Sequence, residues 1–238
     1  MKGLLLPDAA LKLQKTSGFA DDFDGLNSAR WTSTLTDSGT AAVGDAVGGV
    51  VTLSPSDGTV ADNDEAYIST KEIYRIAAGK PIEFSALIQF AQAATNAANI
   101  YVGLMDGVAA NAIQDNGAGP KSSFSGAGFF AKDGSTSMFV IYSDGATQTI
   151  AELTATNSLN KQANLAASAA FQLLEVEIIP KTSALCDVIF KINGSTVYKM
   201  LDRTYANATE TSVMIGVKNG TAAQQTLLAD AVSCFQAR

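Results

Sequence analysis

Three acidic side chains, Asp62, Asp64 and Glu65, crowd into the run Asp62-Asn63-Asp64-Glu65-Ala66-Tyr67. Carboxylates at that density suit a hard cation such as calcium, which takes roughly six to eight oxygen ligands. The spacing is not that of an EF-hand loop, which needs Gly at its sixth position and Glu at its twelfth, so calcium competes with plain turn capping ahead of a strand. Asp21, Asp22 and Asp24 form a second group of the same chemistry. Glu175 and Glu177 flank Val176, and on a strand that spacing puts both carboxylates on one face. Trp31, flanked by Arg30 and Thr32, could stack on a sugar ring or serve as a corner of the core. Tyr67, Tyr74, Tyr101 and Tyr142 are further candidates for a glycan-facing surface.

The composition removes other chemistries. The 238 residues include no histidine and two cysteines. There is therefore no Ser-His-Asp or Cys-His catalysis, no His-ligated zinc or haem, and no four-cysteine metal site from this chain alone. Sixteen basic against 23 acidic residues give a net charge of -7, which disfavours nucleic acid because affinity there comes from Lys and Arg neutralising phosphates. A membrane helix needs about 20 consecutive apolar residues, and the apolar runs here are far shorter, so no membrane partner is expected. Charged residues make up only 16%, against about 25% in an ordinary globular chain, a hint of surface held against other subunits.

Met1-Lys2-Gly3-Leu4-Leu5-Leu6 opens like a signal peptide, but Pro7-Asp8 ends the apolar run short of the roughly 7–15 residues of an h-region. No secretion signal is read. Cys186 and Cys234 are then expected to be reduced, buried and inert. The Asn-x-Ser/Thr sites at Asn193, Asn207 and Asn219 are expected to carry no glycan, and Asn193-Gly194 and Asn219-Gly220 read as tight turns.

These groups have to be positioned by strands. A short helix fits residues 8–14, and after Gly18 the chain becomes β-rich runs punctuated by Gly, Asn, Asp, Ser and Thr. Period-two alternation places Phe84, Ala86, Ile88 and Phe90 on one face, as it does Ile100, Val102 and Leu104, then Leu174, Val176 and Ile178, then Val188, Phe190 and Ile192, then Val213, Ile215 and Val217. Further strands are expected at 50–53, 66–69, 127–132, 138–142, 147–153, 196–200 and 228–235. About a dozen strands without helical crossovers imply antiparallel sheets packed face to face. Two long polar connections, 91–98 and 107–126, must either carry function or cover a neighbour.

The stretch Phe19-Ala20-Asp21-Asp22-Phe23-Asp24-Gly25-Leu26, with Trp31 a few residues on, resembles the opening strand and corner of concanavalin-A-like jelly rolls. Leu228-Ala229-Asp230-Ala231-Val232-Ser233 resembles their closing strand, and the Asn193-Gly194 hairpin with Val197-Tyr198 resembles a segment between. The resemblance covers about residues 18–236. It implies a fold that hosts laminarinase-type glycosidases, lectins, laminin-G modules and structural proteins of tailed bacteriophages. The glycosidase branch carries Glu-x-Asp-x-x-Glu or Glu-x-Asp-x-Glu on one strand. No glutamate here fits, and Glu175-Val176-Glu177 reads as the wet face of an amphipathic strand. The run from Asp62 to Tyr67, and the Gly-rich loop after Val102-Gly103-Leu104-Met105-Asp106, look most like phage virion proteins of this fold.

The expectation is therefore an all-β protein: a two-sheet antiparallel jelly-roll β-sandwich at 18–238 behind a short N-terminal arm at 1–17. The resemblance implies a non-enzymatic capsid decoration or cement protein, made in the host cytoplasm and bound as a homotrimer to the major capsid protein on the outer surface of the virion. Leu4, Leu5, Leu6, Leu11 and Leu13 of the arm are the expected interface residues, because apolar side chains on a terminus need burial somewhere; the arm either packs on its own sandwich as an extra element or reaches a neighbouring subunit. No cofactor is expected apart from the calcium alternative. The alternative function is a non-catalytic, lectin-like module that binds glycans.

Overall fold

A computed structural model describes residues 16–44, 48–56, 59–92, 97–159, 170–205 and 209–238. The region read as a short helix, and the leucines Leu4, Leu5, Leu6, Leu11 and Leu13, lie outside the described residues. The described chain forms two antiparallel sheets and no helix. Sheet I orders β14 (Ser195–Thr204), β13 (Leu185–Ile192), β12 (Gln172–Pro180), β7 (Ile82–Gln92), β16 (Gln225–Ala237), β4 (Val50–Ser54) and β3 (Thr40–Gly44). β1 (Thr16–Asp21) pairs with the other half of β16, beyond a bulge at Asp230. Sheet II orders β11 (Gln148–Glu152), β10 (Phe139–Asp144), β9 (Ser125–Ala131), β8 (Ala98–Met105), β15 (Glu210–Asn219), β5 (Glu65–Thr70) and β2 (Trp31–Leu35), with the two-residue β6 (Tyr74–Arg75) beside the start of β15. This is the expected jelly-roll sandwich.

The core lies between the sheets and follows from the alternation. Phe84, Ala86, Ile88 and Phe90 of β7 and Leu174, Val176 and Ile178 of β12 point inward against Ile100, Val102 and Leu104 of β8 and Val213, Ile215 and Val217 of β15. Phe129 and Phe190 meet edge to face across the gap, 5.5 Å between ring centroids, a geometry aromatic quadrupoles favour. Asn193 (φ 51°) and Gly194 (φ 76°) make the β13–β14 turn, since a primed turn needs positive φ at both central residues. Asn219-Gly220 is different. Asn219 is buried, donates through Nδ2 to the Ala61 carbonyl and accepts the Gln225 N–H on Oδ1, so it anchors a neighbouring loop rather than forming a simple turn.

Sheet I presents its other face to solvent. Sheet II does not: β5, β8 and β9 are buried on both faces. The 106–124 segment lies over this outer face, placing Ala112, Ile113 and Phe124 on Tyr67, Tyr101, Met105, Phe130, Phe139, Ile141 and Met214. Within it a small hairpin closes through the Ile113–Pro120 bridge, capped by Asn116 (φ 54°) and Gly117 (φ 69°). The long connection thus covers its own sheet.

Candidate functional site

The acidic run at 62–65 is pulled apart by the strand it enters. Asp62 is exposed. Asp64 is buried, accepts the Ala61 N–H at 2.7 Å, and has its carboxyl pushed up by burial and by the neighbouring Asp37. Glu65 points to the outer face of sheet II, where it meets Lys218. No group of three or more His, Cys, Asp or Glu side chains able to hold a metal comes together among the described residues. Asp21 likewise has internal work: its carboxylate accepts the Phe23 N–H, the Trp31 indole N–H and the Arg30 guanidinium.

The aromatic candidates are equally occupied. Trp31 is 3% exposed and packs against Phe19 and Phe23, so it is a corner of the core. Tyr67, Tyr74 and Tyr101 are fully buried and Tyr142 nearly so. Glu175 accepts the Gly194 N–H and Glu177 pairs with Lys191 on the open face of sheet I, as the solvent-face reading expects.

Beneath the 106–124 segment is a polar cluster around two sealed charges, Lys218 and Glu65, that the sequence did not announce. Lys218 Nζ sits 3.3 Å from Glu65 Oε2, pairs with Asp115, and donates to Asn111 Oδ1 at 2.8 Å and to the Ile113 carbonyl at 3.2 Å. Glu65 also accepts the Tyr67 hydroxyl and the Asn111 N–H. Burial first, then the Glu65 charge, pushes the Tyr67 phenol well up, so it stays protonated, donating to Glu65 while accepting the Ile113 N–H. A buried charge survives only when paired and hydrogen-bonded, and here the partners come from β5, from β15 and from the covering loop. The cluster holds the cover down.

An accessible site lies at the open edge of the sandwich, where β10 and β11 of sheet II meet β14 of sheet I. Tyr142, Asp144, Thr147, Thr149, Asp202, Arg203 and Thr204 line a cleft of about 210 Å³. A bulge builds it. The β13–β14 register shifts between Cys186 and Val188, so Asp187 faces both Leu201 and Asp202, and Asp202 takes φ 53° while its N–H donates to Asp187 Oδ1. Bulges of this kind re-aim side chains: Asp202 lines the cleft while its Oδ1 pairs with Lys181 at 2.6 Å, and Arg203 lines it beside Thr149. On the facing side Asp144 accepts the N–H groups of Ala146 and Thr147 and the Thr204 hydroxyl. Burial opposes its ionisation, but these donors outweigh it and hold the carboxyl below its usual range. Arg203 spends one N–H on the Leu201 carbonyl and makes a long contact to Thr149 Oγ1, which uses two of its five donors. The cleft therefore offers a carboxylate, a guanidinium and threonine hydroxyls at one opening. Thr147 and Thr149 lie in a run already read as a strand, but the bulge that turns Asp202 and Arg203 has no sequence signal beyond the break in alternation after Met200.

No family model and no curated protein matches the chain. Among solved structures, the carbohydrate recognition domain of Emp47p is similar over 95% of this chain and 99% of its own, at 9% identity and a TM-score of 0.61. An endo-β-1,4-glucuronan lyase from the fungus Trichoderma reesei is similar over 91% and 94%, at 12% identity and 0.60. An endo-1,3-β-glucanase from Streptomyces sioyaensis is similar over 94% and 97%, at 14% identity and 0.58. These likenesses establish the concanavalin-A-like fold. None of the three is a capsid protein, and the capsid-decoration reading gains no support from them. They also correct the expectation of a non-enzymatic chain, since two of the three are enzymes. Lacking histidine and one carboxylate motif removes particular mechanisms, whereas tyrosine, lysine and carboxyl groups also serve as acids and bases.

Proposed function

We propose that this chain binds carbohydrate, and that the cleft between β10, β11 and β14 receives the sugar. One observation carries the reading: Asp144, Asp202, Arg203, Thr147 and Thr149 gather hydrogen-bond acceptors and donors around an opening of about 210 Å³. A sugar's adjacent hydroxyls donate and accept at once, so they pair with a mixed set of this kind better than with a uniformly charged or apolar one. The full-length likeness to a carbohydrate recognition domain supports the same class of ligand.

A glycan array with the purified chain tests the reading, followed by titration of the best hit with Arg203→Ala and Asp202→Asn. The expected result is a specific hit weakened about tenfold or more by Arg203→Ala, the loss of roughly one charge-assisted hydrogen bond. A hit unaffected by both changes would move the site elsewhere, and no hit on a broad array would overturn the reading. Release of new reducing ends from the bound glycan, followed in the same samples, reports whether cleavage accompanies binding.

A further inference from the structure

The open face of sheet I carries a groove of about 410 Å³ that the proposed sugar site does not use. Its floor is the cross-strand pair Leu87 and Leu173 with Ala231 beside them, and its wall is Ala20, Asp21 and Asp22. Toward the end of the sheet where β1 begins, the same face becomes acidic. Glu83 and Glu177 lie directly opposite each other on β7 and β12, and Glu175 stands one row away, with Lys191 as the cation among them. Like charges directly opposite on a sheet repel. Beyond them Ile179 stands 39% exposed on the last row before Thr16. Three carboxylates share this stretch with Lys191, which pairs with Glu177, so acids outnumber the cation among the apolar side chains, and the face suits a cationic, leucine-bearing partner.

The chain itself supplies one. Residues 1–15 carry Leu4, Leu5, Leu6, Leu11 and Leu13 with Lys2, Lys12 and Lys15 against the single acid Asp8. They join the fold at Thr16, which pairs with Ala237 at the Ile179 end of this face. From there the Leu87 row is six residues along β16, about 20 Å at strand rise. About six extended residues cover that distance, which leaves Leu4, Leu5 and Leu6 ample reach. A tether this short also holds the segment at roughly millimolar effective concentration over its own sheet, favouring docking within one chain over exchange between chains. We infer that residues 1–15 fold back across sheet I of their own chain, set their lysines against Glu83, Glu175 and Glu177, and seat leucines in the Leu87–Leu173 groove.

Two measurements on the full-length chain test this. The first pairs Leu5→Cys with Leu87→Cys under mild oxidation. The native thiols do not interfere, because Cys186 and Cys234 are fully buried. A disulfide within the monomer is expected, formed about tenfold faster than in a control pairing Leu5→Cys with Ile150→Cys on sheet II. Cross-linked dimers alone, or no gain over the control, would overturn the inference. The second follows trypsin cleavage after Lys12 and Lys15, which Leu87→Glu with Leu173→Glu is expected to accelerate about tenfold by releasing the segment. Equal cleavage rates in the two proteins, with the sandwich melting intact in both, would also overturn it.

Discussion

Lys218 and Glu65 face each other across β15 and β5 with their charged atoms 3.3 Å apart, both sealed from solvent by the chain's own 106–124 segment. The pair is completed by Asp115 and Asn111 from that segment, so the contact that neutralises the buried charges is also the one that fastens the cover. Removing one partner leaves the other charged and dry. Lys218→Met is expected to cost about 3–5 kcal/mol in urea unfolding. Lys218→Met with Glu65→Gln should recover part of that loss, because the second change removes the stranded charge. A double variant no better than the single one would show that the cover, rather than the pair, carries the energy.

The floor on which the tyrosines rest leads to a second prediction. Gly216 sits in register between Tyr67 and Tyr101, and a methyl group added there would run into the Tyr67 ring. Both strands are hydrogen-bonded on both sides, so the backbone has little room to retreat. Gly216→Ala is expected to lower stability by about 1–3 kcal/mol as overpacking. Gly194→Ala meets no atom within 4 Å and should cost only what its positive φ demands, about 1 kcal/mol. Thermal melts of the two variants side by side separate steric from conformational cost.

How much of this was readable beforehand depends on where a residue's partner lies in the chain. The inward faces of β7, β8, β12, β13 and β15 follow from local alternation, because burying one side of a strand requires period two. β2 and β3 escaped because Trp31-Thr32-Ser33-Thr34-Leu35 and Thr40-Ala41-Ala42-Val43-Gly44 are small, polar and half exposed, as rim strands are. The Lys218–Glu65 pair could not be seen, since two strands far apart in sequence create it. Its one trace is a lysine on the outward side of the Val213-Ile215-Val217 strand, which local logic assigns to water. The covering segment betrayed itself by length alone. The Asp202–Arg203 bulge left only the break in alternation after Met200, because register is a property of two strands together.

Two carboxyls give opposite pH signatures. Asp144 is held below its ordinary value of 3.8, so the stability it contributes is present above that pH and lost as pH falls through its lower folded value. Asp64 is raised above 3.8, so its contribution is full below that value and lost as pH rises through its folded value. Melting temperature against pH should therefore lose an acid-side component in Asp144→Asn. In Asp64→Asn the decline just above the ordinary carboxylate range should flatten. Superimposable curves for all three proteins would refute both assignments.

The thiols should be silent in the folded protein. Cys186 is buried and pushed up to about 11, and burial pushes Cys234 up as well. Only a thiolate attacks a disulfide reagent. An aromatic disulfide at pH 8 is expected to titrate no thiol in the native chain and two after unfolding in urea. One fast-reacting thiol in the native chain would show that a sheet edge opens far more readily than the core packing implies.

Trp31 supplies the last test, because it separates a structural aromatic from a sugar platform. Its indole N–H donates to Asp21 Oδ2 at 2.9 Å, and its ring is wedged between Phe19 and Phe23. Trp31→Phe keeps the apolar packing but strips the hydrogen bond from a carboxylate that also holds Arg30 and the Phe23 N–H. A loss of about 1.5–3 kcal/mol is expected, the usual worth of a hydrogen bond to a charged group. Glycan affinity should be unchanged, since the cleft lined by Asp144 and Arg203 does not include this residue. An affinity that fell with Trp31→Phe at temperatures where the variant remains folded would place the sugar at the β1 corner instead.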